Sequence, residues 1–298
     1  MKMLKRTLWT SILLASFLSL QAHAEPVLET RLTAAQGADG LAAVAADGAI
    51  SDAALAKLAV DAVSWEVRLQ AQLVKAWRMD AAALAEIFQL MPLRTKAGSL
   101  RFVGPWRSAP EAWPVYLHRL RFGGEDAPVR VALIEALSIA EAPLVVDGLL
   151  ALLATEEEAQ VRAWVVVALG RNQDVRALSG IAAALDDAAP GVRSAAVAAL
   201  GEHPAGASLQ SALPAALGDD DAGVRAEAAR VMGWLEMSDQ TSRLQDALGD
   251  ASPDVREQAL RALARVAPAQ ARTLAKSPAL RNDPDPRVAR TAAMLAGD

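Results

Sequence analysis

Cysteine is absent from the 298 residues, which removes disulfide frameworks, thiolate nucleophiles, lipidated cysteine, iron-sulfur clusters and cysteine-ligated zinc. Aromatic residues are only 4% of the chain and histidines number three, few for a metalloenzyme. With so few rings, a core has to be built from Ala, Leu and Val at close helix-to-helix distances, and the 68 alanines favour helix. Basic residues are in deficit, 30 against 35 acidic, for a formal charge of -5. Phosphate binding needs a basic footprint that releases counterions, so no nucleic-acid partner is expected. With 53% apolar and 22% charged residues, the chain is too apolar for disorder and long enough for one or two domains.

Long apolar runs are also scarce. Leu8 to Leu20 is the longest, after Lys2, Lys5 and Arg6 and before the small-x-small signal Ala22-His23-Ala24. Those three features make residues 1–24 an expected secretory signal peptide. A membrane anchor is the competing reading, but this run is short of the roughly 20 residues that span a bilayer. The expectation is a periplasmic or secreted chain starting near Glu25, with no membrane span after cleavage and a charge lowered to about -8 by loss of the three basic residues.

What the chain does have is a repeat. Val-Arg recurs at Val67-Arg68, Val129-Arg130, Val161-Arg162, Val192-Arg193, Val224-Arg225 and Val255-Arg256, with intervals of 32, 31, 32 and 31 from Val129 onward and an imperfect copy at Arg287-Val288. An acidic residue stands five positions before the valine at Glu156, Asp187, Asp219, Asp250 and Asp283. Small or apolar residues return four and eight positions after it, as in Val192, Ala196 and Leu200, which is a helical stripe. Gly170, Gly201 and Gly233 follow, where a helix can stop or pack closely. A preceding helix fits each period over 145–154, 175–185, 209–217, 242–248 and 270–280. Each repeat then reads helix, acidic turn, Val-Arg helix.

The pattern Asp-x-x-x-x-Val-Arg-x-x-Ala-x-x-x-Leu-Gly, nearly whole in Asp187 to Gly201, resembles the HEAT repeat, and its length near 31 is similar to the short subtype also found in phycobilisome bilin lyases. The resemblance covers about 120–298 well and 50–90 more weakly. It implies an all-α fold, an armadillo-like α-solenoid of six to eight helix pairs stacked on one continuous core over 51–298. Residues 25–50, with three glycines among alanines, read as a leader or a degenerate N-terminal cap.

Two stretches depart from the pattern. Over 92–110 the repeat is lost among Pro92, Pro105, Pro110, Gly98 and Gly104, which interrupt helix. The same stretch holds Arg94, Lys96, Arg101, Phe102, Trp106 and Arg107 and no acidic residue. It reads either as a binding loop, through Arg101, Trp106 and Arg107, or as a degenerate repeat whose rings plug a seam. The second departure lies two, three and six positions past each valine, off the buried stripe. These positions are polar in the later repeats (Glu227, Arg230, Glu257, Gln258, Arg261) but turn apolar at Val131, Ala132, Ala163, Trp164 and Val167. In HEAT solenoids the second helices line the concave face, so the resemblance implies that Trp164, Val167, Val131 and Ala163 face a partner protein of unknown identity. Trp164 folded over a neighbouring helix as ordinary core is the other reading.

Arg130, Arg162, Arg193, Arg225 and Arg256 could be drawn as an anion-binding stripe, but a structural ladder to the acidic turns at Asp187, Asp219 and Asp250 is the simpler expectation. Glu156 to Glu158 and Asp219 to Asp221 lack a calcium-loop signature, and acidic residues before a helix meet its dipole and free N–H groups. His118, in an expected helix over 113–121, and His203 read as surface or seam residues. Some HEAT-fold hydroxylases bind two irons through His-Glu pairs, and no such dipeptide occurs here. No cofactor, metal site or catalytic residue is expected. The leading expectation is a noncatalytic protein-binding scaffold using the concave face; a chromophore-handling factor related to the bilin lyases and a purely structural spacer remain open beside it.

Overall fold

The computed structural model describes residues 26–89, the backbone of 93–94 and 100–101, and residues 112–297. The chain divides into two compact units, 1–133 and 134–298. Among the described residues no helix is long and apolar enough to cross a membrane.

The N-terminal unit opens with α1 over 26–34, followed by α2 (Gly37–Ala46), α3 (Asp52–Asp61), α4 (Trp65–Met79) and α5 (Ala81–Gln89). Ser51 and Ser64 begin α3 and α4 with side chains that accept from Ala54 and Val67 N–H, satisfying donors that helix geometry leaves free. Where the repeat is lost, β1 (Leu93–Arg94) pairs antiparallel with β2 (Leu100–Arg101). Then come α6 (Trp113–Phe122) and α7 (Ala127–Leu137), inside which the unit boundary falls. Leu28, Leu32, Leu41 and Val44 are buried, so residues 26–46 contribute core rather than trailing as a leader. The amphipathic α4 packs against α2, α3, α5 and α6, with Leu69, Ala71, Leu73 and Val74 buried along it.

The C-terminal unit consists of α8 (Pro143–Thr155), α9 (Ala159–Arg171), α10 (Ala177–Ala184), α11 (Pro190–Glu202), α12 (Leu213–Ala216), α13 (Ala222–Trp234), α14 (Thr241–Asp246), α15 (Pro253–Val266), α16 (Pro268–Ala275), α17 (Pro278–Arg281) and α18 (Pro286–Ala296). The second helices α9, α11, α13, α15 and α18 pack each on the next as one layer, and the first helices lie against them. Proline starts α11, α15 and α18, where its missing N–H costs no helical hydrogen bond. The predicted stripe is buried throughout: Val161, Val165, Leu169, Val192, Ala196, Leu200, Val224, Ala228, Met232, Val255, Ala259 and Leu263 are each at most 1% exposed.

The first helices differ from expectation in two places. Residues 206–212 form a 3-10 helix, leaving only Leu213–Ala216 of the expected 209–217 helix in α form. The expected helix over 270–280 breaks into α16 and α17, because Pro278 begins the second piece after Ser277 and proline cannot continue a helix. Glycine placement resolves the other way from a stop signal. Gly170, Gly201 and Gly233 lie inside α9, α11 and α13. A Cβ on Gly170 would sit 2.7 Å from the Ala199 Cβ, and one on Gly233 would sit 2.6 Å from the Ala262 Cα. These glycines therefore let adjacent second helices approach closely.

Candidate functional site

One face of the C-terminal unit is occupied by structural chemistry. Arg162 Nε and Nη2 each donate to the Asp187 carboxylate at 2.8 Å, while its Nη1 donates to the Glu156 and Glu157 carbonyls at 3.2 and 2.7 Å. The same fork joins Arg193 to Asp219, Arg225 to Asp250 and Arg256 to Asp283, with each Nη1 again on two carbonyls of its own turn. Each guanidinium thus serves its own turn and the next one together. Each aspartate also accepts the N–H two residues on, at Ala189, Asp221, Ser252 and Asp285. The arginine hydrogen bonds hold all four carboxyls below the ordinary 3.8. Bidentate charge-assisted bonds of this kind fix geometry as well as energy, so these arginines set repeat spacing. Arg68 makes the own-turn half of the fork, to the Ala62 and Val63 carbonyls, and Arg130 is half-buried at the matching place on α7.

A second clasp runs along the opposite helix ends. Asn172 Nδ2 donates to the Ala140 carbonyl at 2.9 Å and its Oδ1 accepts from Asp174 N–H. Thirty-one residues later, His203 Nδ1 accepts from Ala205 N–H at 3.0 Å, and its Nε2 lies 3.3 Å from the Asp174 carbonyl. That pairing assigns the proton to Nε2. His203, 4% exposed, is therefore a seam residue and not a surface one.

His118 is not a surface residue either. It is 2% exposed, packs edge-on to Phe88 and beside Phe122, and its Nε2 accepts from Gly37 N–H at 3.0 Å. Burial holds its pKa down to about 4. The neutral ring supplies the acceptor that Gln36, the residue preceding α2, does not.

The open chemistry lies on the solvent-facing side of the second helices. Six and ten positions past each repeat valine, on one helical face, stand Val167 and Arg171, Ala198 and Glu202, Arg230 and Trp234, then Arg261 and Arg265. Two clefts follow these rows. The first, about 490 Å³, is lined by Arg171, Ala198, Gly201, Glu202, Arg230, Val231 and Trp234. The second, about 270 Å³, is lined by Arg230, Trp234, Gln258, Arg261, Ala262 and Arg265. Trp234 borders both and is 60% exposed, with the Arg265 guanidinium 5.6 Å from its ring centroid. Arg230 is anchored on Glu227 (2.9 Å) and Arg261 on Glu257 (2.7 Å), and Arg171 approaches Glu202 at 3.8 Å.

The sequence-derived candidates distribute unevenly over this geometry. Ala163, Trp164 and Val167 are half-buried on α9, neither free surface nor sealed core, and Val131 is half-buried on α7. Ala132 and Glu257, expected off the buried stripe, are buried at 3% and 8% exposure. Glu257 tolerates this because Arg261 and the Thr291 hydroxyl donate to it. Arg101 contributes backbone to β2, while Trp106 and Arg107 lie outside the described residues. The row containing Val167 does lead into the first cleft, one helical turn on at Arg171. What sequence reading missed is Trp234, and the signal was available: the position ten past the valine, read across repeats, is Arg171, Glu202, Trp234 and Arg265.

Two solved structures are similar over most of the chain. An engineered protein is 17% identical, covering 91% of this chain and 83% of its own with a TM-score of 0.38. Human deoxyhypusine hydroxylase in complex with glycerol is 19% identical, covering 95% and 97% with a TM-score of 0.33. No curated protein matches the chain. A family model of HEAT repeats matches residues 146–215 and 177–264, the stretch in which the arginine forks and the buried valine stripe recur. This chain is thus an all-α solenoid protein carrying HEAT repeats over residues 146–264.

Proposed function

We propose that this helical-repeat scaffold is a noncatalytic, extracytoplasmic binding protein that takes another protein along the solvent-facing side of α9, α11, α13 and α15, the second helices that the HEAT resemblance assigns to the concave face. The observation that carries the reading is Trp234, an exposed indole set between two clefts and flanked by anchored arginines. Tryptophan and arginine are the residue types most enriched among interface anchors, and stacked repeats offer an extended continuous surface for a partner. The extracytoplasmic destination rests on the charged start, apolar run and cleavage signal of residues 1–24. The α9 face at Ala163, Trp164 and Val167 is an extension of the same surface.

Affinity capture from an extracytoplasmic extract with tagged wild-type protein, Trp234→Ala and Trp164→Ala tests this. The expected result is a specific partner lost with Trp234→Ala and weakened with Trp164→Ala, at unchanged helical circular dichroism. A partner retained in full by both variants overturns the assignment of this face.

A further inference from the structure

We infer that the groove around Trp234 recognises an extended, acidic protein segment, with carboxylate side chains seated on Arg230, Arg261 and Arg265. The inference deepens the proposed protein-binding role and rests on it. Four arginines and one carboxylate, Glu202, line the two clefts together, in a chain whose overall balance is acidic. The local sign is therefore inverted relative to the whole.

The carboxylates that anchor two of these arginines lie deeper, and with Glu227 and Glu257 counted beside Glu202 the four arginines keep a surplus of one positive charge. Glu227 is 20% exposed beneath Arg230 at 39%, and Glu257 is 10% exposed beneath Arg261 at 59%. Each glutamate is covered while its guanidinium faces out, so a ligand meets the cation first. The glutamates also restrict the arginine rotamers before any ligand arrives, which lowers the ordering cost of binding. Arg265 is held differently, over the Trp234 ring, and a carboxylate can approach its open edges without displacing the stack. The ring itself is a flat apolar platform for a small or apolar residue of the ligand.

Spacing specifies the segment further. Neighbouring packed helices stand about 8–10 Å apart, and an extended chain advances about 3.3 Å per residue. A segment crossing from α13 to α15 therefore meets successive arginines about every third residue. The matching pattern is acidic-x-x-acidic, with an apolar residue between. A continuous polyanion fits less well, since the net charge of -5 opposes a dense phosphate backbone at long range.

The test uses the full chain and two synthetic twelve-residue peptides, one with Glu at every third position around a central Leu and its counterpart with Gln in place of Glu. Fluorescence anisotropy is expected to show the Glu peptide binding at least 10-fold tighter than the Gln peptide, with affinity falling as salt rises. Trp234→Ala and the double variant Arg261→Gln/Arg265→Gln should each weaken it at least 10-fold, while Arg243→Gln, which lines a different cleft, should leave it unchanged. All replaced side chains are largely exposed, and a melting temperature checks that each variant folds. Equal binding of the Glu and Gln peptides overturns the acidic specificity. Loss of the captured partner in Trp234→Ala together with no Glu-peptide binding also overturns it, while leaving the protein-binding role standing. An oligonucleotide that competes as well as the Glu peptide marks a general polyanion surface and overturns the inference too.

Discussion

The two compact units solve one problem by different means. Both bury apolar helix stripes, yet the C-terminal unit repeats a full arginine–aspartate fork, while among the described residues of the N-terminal unit only the own-turn half appears, at Arg68, beside fasteners of other kinds. From Arg162 to Asp283 the same fork is built four times, with 2.7 or 2.8 Å contacts to the carboxylates in three of its rungs and up to 2.9 Å in the other. In the N-terminal unit, Arg78 ties the link between α2 and α3, donating to the Ala45 and Asp47 carbonyls and to Asp52, and Arg31 donates to the Asp47 carboxylate. Gln70 and His118 reach the link before α2, at the Ala35 carbonyl and Gly37 N–H. A tilted ring cluster of Trp77, Phe88, His118 and Phe122 fills the space beside them. Repeated fasteners distribute stability along the array; single ones concentrate it on a few groups.

The largest expected break in the comparison is Asp219→Ala. It removes the bidentate partner of Arg193 and the acceptor for Asp221 N–H, leaving a partly covered guanidinium uncompensated. A clear fall in the denaturation midpoint is expected, because the lost hydrogen bonds are charge-assisted, and denaturant unfolding reads it. Because repeats communicate through neighbours, hydrogen exchange should quicken in α11 and α13 and stay unchanged in α3 and α4. Uniform exchange along the whole chain would contradict the division into distributed and concentrated fasteners.

Acid offers a comparable effect on the other unit. His118 is held neutral when folded, at about 4 instead of 6.5, so the unfolded chain takes up its proton first. The stability this supplies is whole above pH 6.5 and is lost as pH falls toward 4, by about 3 kcal/mol over that window. The aspartates of the forks are depressed below 3.8, so their contribution is present above that value and is lost only below it. Between pH 6.5 and 4 the N-terminal unit should therefore weaken through His118. Exchange measured at pH 7 and pH 5 checks this, and His118→Gln should flatten the slope. Earlier opening of the C-terminal unit would reverse the assignment.

A smaller change sharpens the account of helix spacing. Gly233→Ala places a methyl against the Ala262 backbone and side chain at 2.6 and 2.7 Å, and is expected to cost about 2 kcal/mol by overpacking. Gly249→Ala, with nothing within 4 Å, should be nearly neutral. Equal effects at the two sites would show that helix approach at Gly233 is adjustable.

How much of this could be read beforehand follows from the range of the interactions. The buried stripe, the forked arginines and the special glycines recur at fixed offsets from each valine, so periodicity alone exposed them. The fork's division between its own turn and the next was not visible, because it depends on how far one repeat rises over its neighbour. His118 and Gln70 were illegible for a different reason: their partners lie 81 and 35 residues away in a region without the repeat. The candidate face was half legible. The row through Val167 leads into the first cleft, Trp164 beside it is half-buried, and Trp234 is the exposed ring.

The sequence by itself determined the class, the repeat length and the polar ladder, because a 31- or 32-residue period returns identical local chemistry to identical helical positions. Tertiary structure alone decided which of those positions stay open. Exposure is a property of the next helix as much as of the residue: neighbours leave Trp234 exposed between two clefts, and the glutamates paired with Arg230 and Arg261 are more covered than the guanidinium groups they hold.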